Sequence, residues 1–227
     1  MKLILTCEHG GNKIPKDFEK YFNDSQVILN SHRGYDIGAL DVFKTLKSMS
    51  DFSKYSEISR LLIELNRSLH HPKLFSEFTK PLSKAEKEHL ITTYYLPYRT
   101  AVETEIKQWI TKNETVLHFS IHSFTPVLNE QERHCDVGLL FDSTLKNEKQ
   151  FCVKFKKELK TLNPKLQVRF NYPYLGKSDG FTTYLRKQFK ENYLGIEIEI
   201  NQKHRKNNRL EPKVKEAIVL STKNCIA

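Results

Sequence analysis

The amino-acid sequence predicts one α/β domain in which a mainly parallel, mixed central sheet is covered by helices on both faces. Short apolar runs alternate with segments of helical periodicity along the chain, and this order is typical of sheets built from parallel strands. No repeat, low-complexity tract or linker rich in Pro, Gly or Ser interrupts the pattern. The 227 residues are enough for one well-buried domain, and we expect residues 1–227 to form a single one.

Five segments have the length and composition of strands: residues 3–7, 61–65, 116–121, 137–141 and 194–200. Helical periodicity marks the intervening segments 37–49, 84–94, 102–110, 146–162, 181–190 and 213–220. Ser83-Lys84-Ala85-Glu86 has the form of a capping box that opens a helix, and Pro97 is expected to break or restart that helix. Pro212 stands where the last helix begins.

Composition and charge exclude several classes of protein. No apolar run approaches the roughly 20 residues needed to cross a bilayer, and the amino-terminal run is too short for a secretory signal, so we expect a cytoplasmic protein without a membrane partner. The net charge is +10, but the lysines are dispersed and the densest basic patch, residues 204–209, has no nucleic-acid motif. We therefore expect a small anionic substrate and no nucleic-acid partner. Four scattered cysteines indicate reduced thiols.

Polar side chains gather where the predicted strands end, which is where ligands bind in open α/β sheets. The polar residues that follow or end these strands are Glu8 and His9, Asn66 and Arg67, His122 and Ser123, and Glu197 and Glu199. Two histidines and one carboxylate form an open zinc site, in which a nearby glutamate can accept the proton of an activated water. An arginine beside such a site can bind a substrate carboxylate through two hydrogen bonds.

The same segments resemble, in order, the motifs of the N-formylglutamate amidohydrolase family. The matching segments are CEHGGNKIP at 7–15, HRGYDIGA at 32–39, SRLLIELNR at 59–67, HSFTP at 122–126, NYPY at 171–174 and GIEIE at 195–199. Each motif alone is weakly specific, whereas six in order cover nearly the whole chain. The resemblance implies a fold similar to zinc carboxypeptidases and aspartoacylase, with one catalytic zinc ion.

By this resemblance His9 and His122 are metal ligands. Zinc carboxypeptidases have a ligating glutamate three residues after the first histidine, and this chain has Asn12 there. We assign the carboxylate ligand to Asp36, with Glu8 as the alternative. Asp36 is equally suited to cap a helix, and strand-end histidines are often structural. Other divalent metals, such as iron, cobalt or manganese, also suit a mixed site of this kind.

The resemblance also assigns substrate-binding residues. Asn66 and Arg67 resemble the Asn-Arg pair with which carboxypeptidases bind a terminal carboxylate, and Arg60 either assists them or pairs with Glu64. Arg133 matches a family arginine that would polarise the scissile carbonyl.

Glu197 and Glu199 lie two residues apart on a strand and share a face. One of them is expected to be the general base, and their spacing does not choose between them. An ordinary half-exposed strand would have the same pattern.

These residues predict a zinc-dependent hydrolase that cleaves the amide of an N-acyl amino acid such as N-formylglutamate. Tyr172 stands where the family pattern has an acidic residue, so another N-acyl amino acid or a short peptide is an alternative substrate. A non-catalytic binding protein on the same fold is a third hypothesis. The distances between His9, Asp36 and His122 discriminate between the enzyme and the binding protein.

Overall fold

The computed structural model describes residues 1–226, which are built around a six-stranded sheet. Its strands are β1 Lys2–Cys7, β2 Phe52–Tyr55, β3 Val116–Phe124, β4 Val137–Leu140, β5 Val168–Phe170 and β6 Tyr193–Asn201. Their order across the sheet is β2-β1-β3-β6-β4-β5. The first four run parallel to one another, whereas β4 is antiparallel to β6 and parallel to β5. The carboxyl ends of β1, β3 and β6 therefore meet at one edge.

Seven α-helices surround this sheet in the described part of the chain. They are α1 Gln26–Leu29, α2 Ala39–Leu46, α3 Lys84–Leu90, α4 Leu96–Thr111, α5 Lys146–Leu162, α6 Phe181–Gln188 and α7 Pro212–Ile226. Short 3-10 helices span Lys16–Phe22, Lys47–Met49 and Gln202–His204. The predicted capping box is present before α3, where Ser83 and Glu86 bond each other's backbone. A π-helical turn, Ile91–Tyr95, joins α3 to α4, and Pro97 lies in the first turn of α4.

Helices cover both faces of the sheet, as the sequence predicted. Buried side chains of α2, α5 and α7 pack on one face, and buried side chains of α3, α4 and α6 pack on the other. The alternation of β3 explains the difference between the two faces. Leu117, Phe119 and Ile121 enter the first core, whereas His118 and Ser120 project to the opposite side. The second face of the central strands is thus partly polar although it is buried.

The prediction of a strand at residues 61–65 is wrong. This segment is a loop whose side chains are as buried as those of a strand, and the position beside β1 is taken by Phe52–Tyr55 instead. Its backbone bonds to other loops, since Glu64 N donates to the Leu74 carbonyl at 2.9 Å. A buried loop and a buried strand have the same apolar composition, so the sequence pattern could not distinguish them here. β2 and β5, at the two edges of the sheet, were not predicted.

Two predictions about composition can also be compared with the structure. The four cysteines, Cys7, Cys135, Cys152 and Cys225, are buried and free, as expected. Within residues 1–226, each helix is too short or too polar to span a bilayer.

Candidate metal centre and active site

Three parallel strands bring polar side chains to one edge of the sheet. His9 lies two residues beyond the end of β1, and His122 and Glu199 lie close to the ends of β3 and β6. Strands β3 and β6 are in register, with His122 beside Glu199 and Ser120 beside Glu197. Because residues two apart on a strand share a face, these strand residues project from the same side of the sheet.

The loop between β1 and α2 adds Asp36 to this edge. Gly11 lets the loop pass close to its neighbour, because a Cβ there would lie 2.5 Å from the Glu57 carbonyl oxygen. The Asp36 N–H then donates to the His9 carbonyl at 2.9 Å. The Asp36 carboxylate does not cap α2. The N-cap residue of that helix is Gly38, and the helix has no side-chain capping hydrogen bond there. Asp36 is therefore available to the site.

His9, Asp36 and His122 form a buried cluster whose ligand atoms all lie within 4.8 Å of one another. Nδ1 of His9 and Nδ1 of His122 face the same Asp36 oxygen, Oδ2, at 3.3 and 2.8 Å. These two distances are close to the roughly 3.3 Å that separates donors placed about 2.0–2.1 Å from a tetrahedral zinc ion, whereas the limit of 4.8 Å for the whole cluster is wider. Asn12 faces elsewhere and donates to the Leu29 carbonyl at 3.1 Å.

A serine and a glutamate hold the other ring nitrogen of His122. Ser120 Oγ lies 2.8 Å from His122 Nε2 and donates to Glu8 Oε2 at 2.7 Å. Glu8 is 1% exposed, and Tyr98 Oη donates to its second oxygen at 3.2 Å. Burial opposes the ionisation of Glu8, but His122 and Ser120 outweigh it and lower the pKa of Glu8 to about 2. Glu8, the alternative ligand, therefore lies behind His122 and favours a proton on Nε2, which leaves Nδ1 free for a metal.

A second carboxylate, Glu64, stands behind His9 in the same way. Glu64 Oε1 makes a short contact with His9 Nε2. Arg60 donates to Glu64 Oε2 through Nε at 2.8 Å and Nη2 at 2.5 Å, and its Nη1 donates to Asp36 Oδ1 at 3.3 Å. Burial opposes the ionisation of Glu64, but the charges of Arg60 and His9 lower its pKa well below the usual range.

The buried charges of this centre do not balance by themselves. Glu8, Asp36 and Glu64 all have lowered pKa values and are ionised, whereas Arg60 is the one guanidinium within residues 1–226 that lies within 4.0 Å of any of them. Two negative charges remain, and buried charges are stable only when they are compensated. Burial lowers the pKa of both imidazoles, but the neighbouring carboxylates outweigh it and raise both values. Two imidazolium protons, or one divalent cation, would neutralise the centre.

Glu199 and Glu197 differ in their surroundings. Glu199 is 5% exposed, and its Oε2 has no hydrogen-bond partner among residues 1–226. Burial, reinforced by the charges of Asp36 and Glu197, raises the pKa of Glu199 to about 8. Glu197 is less buried, and its Oε1 accepts a hydrogen bond from the Thr182 hydroxyl at 2.7 Å, at the start of α6. Glu199 is thus the carboxyl with a free oxygen beside the metal ligands.

A cavity of about 210 Å³ opens over the His9, Asp36 and His122 cluster. Its wall also includes Arg60, Asn66, Arg67, Tyr174, Glu197 and Glu199. Within residues 1–226, no carboxylate oxygen lies within 4.0 Å of the Arg67 guanidinium, which bonds the Asp179 carbonyl. Asn66 is more committed, since its Oδ1 accepts the Phe181 N–H at 2.7 Å. Arg67 is therefore the cavity arginine that has no carboxylate in direct contact within residues 1–226.

Arg133 lies behind the cavity wall. Its guanidinium sits 5.3 Å from the centre of the Tyr174 ring and 5.8 Å from that of Phe124. Nη1 donates to the Tyr174 hydroxyl at 3.4 Å. Because Tyr174 lines the cavity and Arg133 does not, Arg133 reaches the site through this tyrosine.

Comparison with known proteins assigns the chain to a family. The family model of N-formylglutamate amidohydrolase matches residues 1–204. The chain belongs to the N-formylglutamate amidohydrolase family. The match confirms the resemblance that the sequence motifs predicted, and the family is one of amidohydrolases. No curated protein shows significant sequence similarity to the chain.

Two solved structures share the fold. The gene product Atu2144 from Agrobacterium tumefaciens matches 99% of this chain and 88% of its own, with 24% identity and a TM-score of 0.79. N-formylglutamate amidohydrolase from Ralstonia eutropha JMP134 matches 100% of this chain and 93% of its own, with 16% identity and a TM-score of 0.71. At these identities the likeness concerns the fold.

Three residues of this family member's site were not among the predicted site residues. Ser120 is two residues before His122 on the same strand face, so the period of a strand could have identified it. Glu64 was mentioned only as a partner of Arg60, because its segment was assigned to a strand. Tyr174 was quoted in a family motif without a role. The functions predicted for the other site residues remain predictions.

Proposed function

We propose that this chain is a zinc-dependent amidohydrolase that cleaves the amide of an N-acyl amino acid, with N-formylglutamate as the first candidate substrate. One observation carries the proposal. His9 Nδ1 and His122 Nδ1 face one buried Asp36 oxygen, beside a buried glutamate, Glu199, that has a partnerless oxygen. Family membership provides the reaction class.

The metal would be held by His9, Asp36 and His122. The residues fit a divalent cation because two imidazole nitrogens and one carboxylate oxygen converge within 4.8 Å and because two buried negative charges need compensation. A zinc ion bound there would polarise the substrate carbonyl and lower the pKa of a water molecule to about 7.

Arg67 would bind a carboxylate of the substrate. Its guanidinium lines the cavity, and within residues 1–226 no carboxylate oxygen lies within 4.0 Å of it, so its charge is available for a bidentate pair. Arg60, in contrast, already pairs with two carboxylates. Asn66 would support this part of the wall by bonding the first turn of α6.

Glu199 would transfer the proton. It takes a proton from the attacking water while the oxygen of that water adds to the acyl carbon, and it returns the proton to the amine nitrogen as the C–N bond breaks. The pKa of about 8 applies without a cation, and a bound divalent cation would lower it toward neutrality, so that the carboxylate could accept the proton and later release it. With N-formylglutamate the products are formate and glutamate. Glu197, bonded to Thr182, would position α6 beside the site.

Tyr174 and Arg133 would act together on the substrate carbonyl. Burial raises the pKa of Tyr174, so its hydroxyl stays protonated and can donate to an oxygen in the cavity. Arg133 donates to the same hydroxyl from behind, which strengthens that donor. The carbonyl-polarising role predicted for Arg133 would thus be exerted through Tyr174.

Substrate hydrolysis tests the proposal. The zinc-loaded protein is assayed for release of the free amino acid from N-formylglutamate, N-acetylglutamate and N-formylleucine, with His122→Ala as the inactive control. We expect N-formylglutamate to be cleaved faster than N-acetylglutamate, because its acyl group is smaller. It should also be cleaved faster than N-formylleucine, because it has a side-chain carboxylate that Arg67 can bind in addition to the α-carboxylate that all three share. Rapid cleavage of a different N-acyl amino acid would retain the chemistry and change the substrate. No cleavage of any of them by the zinc-loaded protein would contradict the proposal.

A further inference from the structure

Four side chains form a closed ring that includes two of the three candidate metal ligands. His9 Nε2 contacts Glu64 Oε1, and Glu64 Oε2 accepts two hydrogen bonds from Arg60. Arg60 Nη1 donates to Asp36 Oδ1, and Asp36 Oδ2 faces His9 Nδ1. The ring thus returns to the histidine from which it starts. His9, Asp36 and Glu64 are at most 5% exposed, so water does not compete for most of these bonds.

Within the ring, Arg60 and Glu64 form hydrogen bonds with each other and with the candidate metal ligands. Arg60 commits Nε, Nη1 and Nη2 to two carboxylates, and Glu64 has both oxygens bonded. An arginine whose charge is already compensated twice is poorly placed to bind a substrate carboxylate. Arg67, which has no such partner in the described part of the chain, differs from it in this respect.

We propose that Arg60 and Glu64 are positioning residues of the metal centre: Glu64 sets the tautomer and orientation of His9, and Arg60 ties Glu64 to the Asp36 carboxylate. This inference rests on the proposed function, because it assumes that the His9, Asp36 and His122 cluster binds a metal. Of the two alternatives predicted for Arg60, it favours pairing with Glu64 over substrate binding.

The physical reason lies in the geometry that a metal demands of its ligands. A proton fixed on His9 Nε2 by Glu64 leaves Nδ1 as the lone pair that points to Asp36. Arg60 holds Asp36 Oδ1, so that Oδ2 stays directed at both imidazoles. Loss of such a supporting partner typically weakens metal affinity by about 10- to 100-fold.

Zinc affinity of matched variants tests the proposal. The dissociation constant for zinc alone is measured by competition with a chromophoric chelator for the unaltered protein, Glu64→Gln, Arg60→Lys and Glu77→Gln. Glu77 forms an ion pair with Arg33 on the surface of the protein. Arg33 lies on the same loop as Asp36, so substitution of Glu77 is the matched control. We expect affinity to fall about 10- to 100-fold for Glu64→Gln and Arg60→Lys, and to stay unchanged for Glu77→Gln.

Two further readouts separate positioning from other roles. Thermal unfolding of the metal-free variants reports whether they fold, and Arg60→Lys provides a conservative second variant if Glu64→Gln does not. At saturating zinc, KM of Arg60→Lys should match that of the unaltered protein, because Arg60 does not bind substrate.

Unchanged zinc affinity in both folded variants would overturn the inference and leave the proposed function intact, as would a raised KM of Arg60→Lys at unchanged zinc affinity. No zinc binding by the unaltered protein would overturn both.

Discussion

Binding of one zinc ion to the metal-free protein should release about two protons at about pH 6. The prediction follows from the charges of the centre. Glu8, Asp36 and Glu64 are ionised against one guanidinium, Arg60, which leaves two negative charges in a buried site. Without a metal, the two imidazoles compensate these charges, because the carboxylates outweigh burial and raise both of their pKa values. A metal bound at Nδ1 of each ring displaces one proton from each.

The displaced protons make the apparent affinity for zinc depend on pH. Where both imidazoles are protonated, apparent zinc affinity should change by up to about 100-fold per pH unit, one factor of ten for each proton displaced. The number of protons released by the histidines should decrease as the pH rises through their raised pKa values. Glu199, with a pKa of about 8, adds a further proton if the cation draws it into its ionised form. The measurement therefore includes Glu199→Gln, in which this extra proton is absent.

Isothermal titration calorimetry in buffers of different ionisation enthalpy counts the released protons. We expect about two protons per zinc in Glu199→Gln at about pH 6. At about pH 9 the histidines contribute fewer protons, and ionisation of the zinc-bound water, with its pKa of about 7, adds about one. Release of less than about half a proton at the lower pH would show that the histidines are neutral without metal, and the assignment of charges would be wrong.

The free energy of unfolding of the metal-free protein, measured as a function of pH, provides an independent check. Since the histidine pKa values are raised by folding, the stabilisation is complete below the unfolded value of 6.5 and is lost as the pH rises through the folded values.

Further substitutions test the other assignments. Glu199→Gln should lower kcat by about 10²- to 10⁴-fold while zinc stays bound, whereas Glu197→Gln should have a much smaller effect; equal effects on kcat would contradict the choice of base. Arg67→Lys should raise KM by about tenfold with less change in kcat, because a bidentate pair is lost; an unchanged KM would remove Arg67 from substrate binding. Away from the site, Arg186 of α6 donates from Nε to the buried Glu148 carboxylate of α5 at 2.8 Å. Arg186→Met removes this partner and should destabilise the fold by about 3–5 kcal/mol in urea unfolding; a loss below about 1 kcal/mol would show that the ion pair is unimportant.

Much of the fold follows from local patterns that the sequence displays. The alternation of apolar runs and helical periods predicted a parallel sheet with two helical layers, and four of the five predicted strands and the long helix at 146–162 are present. The strand at 61–65 is wrong because its Leu and Ile side chains are buried in loop-to-loop packing, which gives the same composition. The missed edge strands β2 and β5 carry partly exposed side chains, so their apolar signal is weak.

The site divides in the same way. The strand-end rule brought His9, His122 and the two glutamates to one edge of the sheet, because it depends only on strand direction. The proposal of Glu199 over Glu197 depends on the tertiary structure, since the Thr182 hydroxyl that donates to Glu197 comes from α6. The roles proposed for Arg60 and Glu64 also depend on contacts with residues more than 20 positions away in the chain, which spacing does not reveal.

The metal content of the purified protein, without an added affinity tag, tests the central claim most directly. The zinc stoichiometry is determined by elemental analysis for the unaltered protein and for His122→Ala, each after incubation with zinc and removal of the excess. The proposed centre predicts about one zinc per chain in the unaltered protein and little in the variant, because one of three ligands is lost. No bound metal in the unaltered protein, or equal zinc in the folded variant, would contradict a metal centre built on His9, Asp36 and His122.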